Sequence, residues 1–371
     1  MPRLERISIH GFKSIEHLEN FEIRPLNILI GANGSGKSNF LSFFSLLRAM
    51  CGLSLPFLPV SGLANYVAAF GGSETLLFNG ARQSRSLSAS LESEGQRYEF
   101  VLVPADGGRL CLTNGHKDSV SHDASLPSGH APRHLACEKE FHDRESPLHR
   151  AIASWIPYHF HETGVGSALR KCAHVFDVAS LRPDGSNLAP FLLHLRWKAP
   201  KNSQRLAETV RLLEPSFEDF CFGTPFEEQV SLAWKERHSD SIVHACQLSD
   251  GTLRFLALAT ALLQPDPPSL LLIDEPELGL PPLALALLAE LIQSAACRSQ
   301  IVLATQSADL LDFFTLEDVV IVTRQRGASV FSRPRSDEYA AWLKEYSLGD
   351  LWRKNVLAAG PVPEQEGMRR S

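Results

Sequence analysis

The chain has 371 residues, of which 44% are hydrophobic and 21% are charged. This is ordinary globular usage, and it excludes the disordered, collagen-like and coiled-coil classes. A net charge of −6 gives no overall positive field that would attract nucleic acid, although a local basic groove is compatible with it. Seven cysteines at wide spacings, without a C-x-x-C pair, indicate reduced thiols. No signal peptide and no span of ~20 apolar residues is predicted, so we expect a cytoplasmic protein that does not enter a membrane.

Two strands and a helix are predicted near the start of the chain. Apolar and polar residues alternate over Leu4–His10, and Leu26–Ile30 is a compact apolar run, both of which are typical of strands. A glycine-rich loop follows, and apolar residues then recur at helical spacing over Lys37–Met50. The order strand, glycine loop, helix is the context of a phosphate-binding loop.

The middle of the chain predicts two kinds of structure. Short β-like runs separated by turn residues indicate a partly exposed antiparallel unit, followed by a His-rich loop up to residue 135. The runs are Leu87–Leu91, Tyr98–Val103 and Arg109–Leu112. Between residues 138 and 236, helices are predicted at Ala189–Trp197 and Gln204–Leu213. There is no heptad repeat, so no coiled-coil arm is expected within the chain.

From Asp250 onward helices and strands alternate, which is typical of a parallel sheet covered by helices. Helices are predicted from Asp250 to Gln264 and from Pro282 to Ser294. Strands are predicted at Leu270–Ile273, Gln300–Ala304 and Val319–Val322. The polar tail after Gly360 is expected to be frayed.

Residues 31–38 read Gly-Ala-Asn-Gly-Ser-Gly-Lys-Ser and fit the pattern G-x-x-x-x-G-K-[ST]. A flexible glycine turn would explain the glycines, but not the Lys-Ser pair between a strand and a helix. In such a loop, backbone N–H groups surround the phosphates, the lysine bridges the β- and γ-phosphates, and the hydroxyl ligates Mg²⁺. The predicted nucleotide-binding residues are Gly31, Asn33, Gly34, Ser35, Gly36, Lys37, Ser38 and Asn39.

The apolar run Leu270–Ile273 ends in two adjacent carboxylates, Asp274 and Glu275. Carboxylates at the carboxyl end of a buried strand are unfavourable unless a cation lies nearby. We therefore predict that Asp274 organises Mg²⁺ through water and that Glu275 is the general base for the attacking water. An ordinary acidic turn after a strand is the alternative, and the phosphate-binding loop argues against it.

The segment Leu248–Arg254 reads Leu-Ser-Asp-Gly-Thr-Leu-Arg and opens a predicted helix. Ser249 or Asp250 can cap this helix, and Gly251 lets a ligand approach the backbone. Taken alone, the pattern is simply a helix start. Because it lies after the phosphate-binding loop and 25 residues before Asp274, it resembles the signature motif of ABC-type ATPases.

Together these motifs resemble those of the ABC-type AAA-family ATPases related to RecF, SMC and OLD-type proteins. The opening Ile7–Lys13, the phosphate-binding loop, the signature and residues 274–280 (Asp-Glu-Pro-Glu-Leu-Gly-Leu) carry the resemblance. Residues 182–188 (Arg-Pro-Asp-Gly-Ser-Asn-Leu) and 346–352 (Tyr-Ser-Leu-Gly-Asp-Leu-Trp) look like those of a bacterial subfamily of short RecF-like ATPases without a nuclease domain. The resemblance spans about residues 1–360.

The resemblance implies an α/β fold, namely a P-loop NTPase of the ABC-ATPase head type. We expect a mixed sheet flanked by helices, an antiparallel β subdomain and an inserted α/β region. The expected division is an N-terminal part of the ATPase core (1–80), an inserted β and helical region (81–240), a C-terminal part of the core (241–360) and a flexible tail (361–371).

The resemblance also implies an ATP-dependent, head-to-tail homodimer. Each ATP would lie between one chain's phosphate-binding loop and the other chain's Ser249, Asp250, Gly251 and Thr252. Lys37, Glu275 and Gln306 would be the catalytic residues, with ATP and Mg²⁺ as nucleotide and metal. Gln306 stands at the switch position, where transporters use histidine; because glutamine cannot take up a proton near neutral pH, we expect slow turnover.

Two departures from the family pattern stand out. One is Gln306, which stands where transporters use histidine. The other follows the strand that ends at Asp274: the family often reads Gly-Leu-His-Pro there, whereas this chain reads Gly-Leu-Pro-Pro over Gly279–Pro282. No residue is assigned as the Q-loop glutamine. His159 and His161 could share a strand face as metal ligands, or form a packed or hydrogen-bonded pair; no second cluster with ligand spacing supports a metal.

Three functions stay open from the sequence. The first is an ATPase whose dimerisation drives a DNA-linked task, such as repair or defence against phage and plasmids; any nuclease or effector would be a separate chain. The second is a nucleotide-gated sensor that acts on a protein partner without DNA, which the net charge of −6 favours. The third, the ATP-binding subunit of an importer, fits the long insert and the atypical signature poorly.

Overall fold

The computed structural model describes residues 3–53, 62–113, 141, 143–223 and 227–357. The predicted His-rich loop and frayed tail lie outside these residues. The strands are β1 Leu4–Phe12, β2 Ile15–Glu22, β3 Leu26–Ile30, β4 Leu87–Ser93, β5 Gln96–Ala105, β6 Arg109–Thr113, β7 Trp155–Tyr158, β8 Ala173–His174, β9 Phe217–Gly223, β10 Gln229–Glu236, β11 Ile242–His244, β12 Leu270–Asp274, β13 Gln300–Thr305, β14 Val319–Gln325 and β15 Ala328–Ser332.

The α-helices in the described part of the chain are short to medium in length. They are α1 Lys37–Met50, α2 Leu63–Ala69, α3 Ser73–Leu76, α4 Pro147–Ala153, α5 Leu188–Lys198, α6 Pro200–Leu213, α7 Asp250–Leu263, α8 Pro282–Ala296, α9 Ala308–Leu311, α10 Ser336–Tyr339 and α11 Leu348–Arg353. No helix in these ranges is long and apolar enough to cross a membrane.

A six-stranded sheet forms the centre of the fold, in the order β15-β14-β3-β13-β12-β7. Its strands are parallel except for β15, which pairs antiparallel with β14. Both faces are buried: along β12, Leu271 and Ile273 face one hydrophobic cluster, while Leu270 and Leu272 face the other. A sheet that is covered on both faces explains why its strands read as continuous apolar runs.

A second sheet, antiparallel throughout and ordered β2-β1-β4-β5-β6, covers one face of the first. Helix α1 lies between the two sheets, with Phe40, Phe43 and Phe44 fully buried in the shared cluster. The other face of the central sheet is covered by α5 to α8 and by β10, which pairs antiparallel with β8, β9 and β11. The expected mixed sheet with flanking helices and an antiparallel subdomain is therefore present.

Agreement with the sequence is closest where the pattern is local. The predicted bounds of α1, Lys37–Met50, are those observed. Strand β2 was not predicted, because its buried residues Ile15, Leu18 and Phe21 are spaced by three rather than two. The register of β1 and β2 shifts at Ile7/Ile9, and Asn20 has a φ of 48°. Such an irregularity breaks the alternation that marks a strand.

Strands β8 to β10 were also missed, since the region from 138 to 236 was interpreted as mainly helical, and so was β11, which lies just beyond that region. In β10 the large apolar residues Val230, Leu232 and Trp234 occupy every second position, although the small Ala233 between the last two is also buried. The signal was present there, whereas β9 and the three-residue β11 show none of comparable strength. Strand β7 completes the central sheet from within the predicted insert.

Candidate functional site

The phosphate-binding loop connects β3 to α1 at the carboxyl edge of the central sheet. Gly34 and Gly36 have φ angles of 76° and 112°, which side chains rarely adopt. A Cβ on Gly36 would lie 2.0 Å from the hydroxyl of Ser329, so only glycine fits there. Apart from the two residues next to Gly34 in the chain, no described residue has an atom within 4 Å of a Cβ placed on Gly34. The protein therefore packs against the loop at Gly36, whereas the space beside Gly34 is open to an approaching phosphate.

Lys37 is folded onto this loop. Its Nζ donates hydrogen bonds to the carbonyl oxygens of Gly31 (2.7 Å) and Ala32 (3.2 Å). Burial lowers the pKa of Lys37, and the nearby carboxylates, Glu275 first among them, oppose that shift. Because nearby carboxylates favour the protonated form of an amine, they favour the positive charge with which Lys37 would bind phosphate.

Ser38 and Asp274 meet across the gap between α1 and β12. The Ser38 side chain lies near enough to Asp274 to lower the pKa of its carboxyl group, while the Oδ1 atom of Asp274 is buried without a hydrogen-bond partner. Burial raises the pKa of Asp274, and the nearby Lys37 and His161 offset only part of that shift. A hydroxyl beside an unsatisfied carboxylate oxygen is a donor set that suits Mg²⁺, so these residues fit the predicted metal.

Glu275 and Gln306, 31 positions apart, are in direct contact. The Gln306 Nε2 atom donates to Glu275 Oε1, and the Glu275 N–H donates to Ala304 O at 2.8 Å. Glu275 has a φ of 39°, a conformation that costs free energy and is common at functional sites. Strands β12 and β13 are parallel neighbours, which brings the residues that follow them to one edge.

The signature motif starts α7, and its residues differ in exposure. Ser249 caps the helix by accepting a hydrogen bond from Thr252 N–H at 3.0 Å, and Ser249 and Asp250 are exposed. Thr252 is buried, and its hydroxyl donates to Glu214 Oε1 at 2.7 Å. A Cβ on Gly251 would lie 2.5 Å from Gly279 O, so this glycine is needed for contact with the turn after β12.

Arg170 holds the signature loop in place although it comes 79 residues earlier than Ser249. Its guanidinium donates to the carbonyl oxygens of Thr163 (2.6 Å) and Leu248 (3.0 Å), and to that of Ala245. It also pairs with Asp250 Oδ1 at 2.6 Å, and its side chain is only 7% exposed. The exposed start of α7 is therefore a rigid surface feature.

Of the three predicted motifs, the structure brings together the phosphate-binding loop and the Asp274–Glu275 pair, whereas among the residues that the structure describes the signature is not bonded to the phosphate-binding loop of its own chain. Lys37, Ser38, Asp274, Glu275 and Gln306 converge at the carboxyl edge of β3, β12 and β13. Strand β13 separates β3 from β12, which places these strands about 10 Å apart. Within the described residues, no hydrogen bond or ion pair joins residues 249–252 to residues 31–39.

The sequence from 26 to 312 matches the family described as "AAA domain, putative AbiEii toxin, Type IV TA system". This stretch is most of the chain and contains the phosphate-binding loop, the signature, the Asp274–Leu280 motif and Gln306. The chain belongs to this AAA family. No protein with a curated description matches the sequence.

Solved structures show which AAA-family fold this chain has. An SMC head bound to the C-winged helix domain of ScpA is 16% identical with a TM-score of 0.61, over 91% of this chain and 99% of that one. An SMC head with an extended coiled coil, bound to the C-terminal domain of ScpA and derived from Pyrococcus furiosus, is 15% identical with a TM-score of 0.57, over 93% and 99%. A head from Pyrococcus yayanosii, with a coiled coil and joint, is 12% identical with a TM-score of 0.53, over 93% and 99%.

These likenesses confirm the predicted fold, and together with the family they confirm the resemblance. The AAA-family chain is a P-loop ATPase of the SMC and ABC head type. At these identities the solved structures establish the fold alone.

Two site residues of this AAA-family chain were not selected from its sequence. Glu277 Oε1 accepts hydrogen bonds from the Thr305 hydroxyl (2.6 Å) and from Gln306 N–H (3.0 Å). Burial raises the pKa of Glu277. In the sequence, Glu277 contributed only to the resemblance, as part of the Asp274–Leu280 motif. An acidic residue two positions after Glu275 is a signal that could have marked it as a partner of the switch residue Gln306.

His161 is the second, since the sequence indicated it only as one of a possible metal-binding or packed pair with His159 and not as a neighbour of Asp274. It lines a small cavity together with Arg254, Asp274 and Glu275, and its positive charge would lower the pKa of Asp274. Strand β7 ends at Tyr158, so His159 and His161 follow the strand instead of sharing its face. Their rings are 5.8 Å apart, and burial lowers the pKa of His159 to about 4. No cluster of three metal-ligating side chains occurs among the residues the structure describes.

Proposed function

We propose that this chain hydrolyses ATP in a head-to-tail homodimer, each ATP lying between one copy's phosphate-binding loop and the other copy's signature. The observation that carries the proposal is the convergence of Lys37, Ser38, Asp274, Glu275 and Gln306 at one edge of the central sheet. Phosphoryl transfer needs positioning and charge stabilisation, and this set offers both.

Each residue has a distinct role in the proposed reaction. Lys37 exchanges the carbonyls of Gly31 and Ala32 for phosphate oxygens. Ser38 and Asp274 would hold Mg²⁺, which neutralises phosphate charge when bound. Glu275 accepts the proton of the attacking water, and the Gln306 amide fixes the Glu275 carboxylate. Because Gln306 cannot act as an acid or base near neutral pH, turnover is expected to be slow.

The second copy is part of the proposal because no hydrogen bond or ion pair among the described residues joins the signature to the phosphate-binding loop of its own chain. Ser249 and Asp250 are exposed at the start of a 14-residue helix, and Arg170 keeps them in place. The N-terminus of such a helix favours a phosphate. In a symmetric pair, each copy offers this helix end to the other copy's open loop above Gly34.

A complementation experiment tests the composite site. Lys37→Met removes the phosphate-binding amine, and Ser249→Glu places a carboxylate at the exposed helix start, where it repels the γ-phosphate. Each variant alone is expected to be inactive. In a mixed dimer both lesions fall in one site, and the other site is intact. We therefore expect an equimolar mixture to recover about a quarter of wild-type ATPase activity per chain, because half of the dimers are mixed and each has one working site.

The control is a chain that carries both substitutions, mixed with wild type. Its mixed dimers have two damaged sites, so an equimolar mixture should retain about a quarter of wild-type activity per chain, all of it from wild-type dimers, instead of the half that simple dilution would leave. If the two single variants together stay inactive while each still folds, the composite-site arrangement is wrong.

We further propose that the ATPase serves a DNA-linked task, such as repair or defence, and acts with a separate effector chain. Support comes from the family description and from the likeness to SMC heads, two of which are bound to domains of ScpA. The alternative is a nucleotide-gated sensor of a protein partner, which the net charge of −6 favours.

Salt dependence separates these two functions. With ATP bound to a hydrolysis-deficient variant, we expect duplex DNA affinity to fall between 50 and 200 mM salt by about tenfold for every two phosphate contacts. Fluorescence anisotropy of labelled DNA measures this fall. Absent binding, or an affinity that salt leaves unchanged, would favour the sensor.

A further inference from the structure

The short helix α11, Leu348–Arg353, is fixed on α9, which directly follows the switch residue Gln306. Gly349 N–H donates to Asp312 Oδ1 at 2.6 Å. A Cβ on Gly349 would lie 2.3 Å from Ala308 O, so the two backbones are in direct contact. Leu348 and Leu351 are buried in the main hydrophobic cluster, which makes this contact part of the core.

Charges reinforce the same contact on its exposed side. Arg353 pairs with Asp309 and lies 3.9 Å from Asp312, both of which belong to the α9 region. It also lies 3.2 Å from Asp350 in its own helix. One cation facing three carboxylates orients α11 on α9, although exposed pairs contribute little to stability individually.

Trp352 extends from this helix to the switch itself. Its indole Nε1–H donates to the carbonyl oxygen of Gln306 at 3.3 Å. The N–H of Gln306 is bound by Glu277, and its side-chain amide is bound to Glu275. The backbone of Gln306 is therefore held at both ends, by residues from two different parts of the chain.

We propose that α11 is a positioning element for ATP hydrolysis, in which Trp352 fixes the Gln306 carbonyl and so directs the Gln306 amide at Glu275. The inference rests on the proposed function. Holding catalytic groups within a fraction of an ångström matters because small misplacements cost large rate factors. Trp352 itself is a positioning residue that acts through Gln306.

The test compares Trp352→Phe with Trp342→Phe. Phenylalanine keeps an aromatic ring but lacks the indole N–H, and Trp342 is an exposed tryptophan that contacts Tyr346. We expect Trp352→Phe to lower kcat by about two- to tenfold, the effect of one hydrogen bond. ATP affinity should change less than twofold, and Trp342→Phe should leave both constants unchanged.

A double-mutant cycle distinguishes positioning from a merely structural role. If Trp352 acts through the Gln306 side chain, Trp352→Phe has no further effect on kcat in a Gln306→Ala chain. An equal loss of kcat in both backgrounds would mean that the helix only stabilises the fold, and it would overturn the proposal.

A readout without hydrolysis checks the contact itself. The chain has five tryptophans, and the two phenylalanine variants identify the indole N–H signals of Trp352 and Trp342 in ¹⁵N NMR spectra. We expect the Trp352 indole proton to exchange with solvent more slowly than that of Trp342. Equal exchange would overturn the contact and the proposal with it.

The two failures are distinguishable. If the wild-type chain binds ATP without hydrolysing it, the proposed activity and the catalytic role of α11 both fall, while a protected Trp352 indole would still establish the contact. If the wild-type chain hydrolyses ATP and Trp352→Phe does so at the same rate, only the positioning role is wrong.

Discussion

Glu275→Gln is expected to slow ATP hydrolysis at least 100-fold while leaving ATP binding intact, which is the effect of removing a general base. The substitution is conservative here: the amide oxygen of glutamine can still accept the hydrogen bond that Gln306 Nε2 donates to Glu275 Oε1. The site therefore keeps its geometry and loses only the group that accepts the proton of water.

Because bound ATP would persist, this variant should also accumulate the dimer. Single-turnover kinetics measure the rate, and size-exclusion chromatography with light scattering, with and without ATP and Mg²⁺, measures the mass. Glu290→Gln is the matched control, since it removes the same charge from an exposed position on α8. It should behave as wild type in both measurements.

Two outcomes would contradict this account. Hydrolysis within tenfold of wild type would show that Glu275 is not the base. A Glu275→Gln chain that binds ATP and stays monomeric would exclude ATP-gated dimerisation, and would leave a nucleotide-binding subunit that needs another partner.

Lys37→Met is expected to weaken ATP binding by about 10- to 100-fold, the loss of charge-assisted hydrogen bonds to phosphate. The amine now donates to the carbonyls of Gly31 and Ala32, and methionine is of similar length and apolar. Since burial lowers the pKa of Lys37, replacing it with an uncharged side chain should not lower the free energy of unfolding substantially.

Lys13→Met is the matched control for this variant. Lys13 is a half-buried lysine, with its pKa lowered by burial to about 8, and it donates to the Ser42 hydroxyl at 2.9 Å. Its ammonium lies near the rings of Phe12 and Phe70, away from the carboxylates of the site. Titration with a fluorescent ATP analogue should show lost affinity in Lys37→Met and near wild-type affinity in Lys13→Met. Equal losses in the two variants would mean that burial of a lysine, and not contact with phosphate, explains the effect.

The sequence by itself determined the parts of this protein that are local. The phosphate-binding loop is one contiguous segment, so its strand, its glycines and helix Lys37–Met50 could all be predicted together. The buried strand before Asp274 and the capped start of α7 at Ser249 are likewise specified by neighbouring residues. In these segments the hydrophobic period and the turn chemistry suffice.

Only the tertiary structure decided which distant residues meet at the site. Strand β7 precedes β12 by more than 100 residues in the sequence, yet it pairs with β12 in the central sheet and brings His161 near Asp274. Trp352 reaches Gln306 because α11 packs on α9. Such contacts depend on long-range packing and burial, which leave no period in the sequence of either partner. Motifs therefore predicted the chemistry, whereas packing determined what holds the catalytic residues in place.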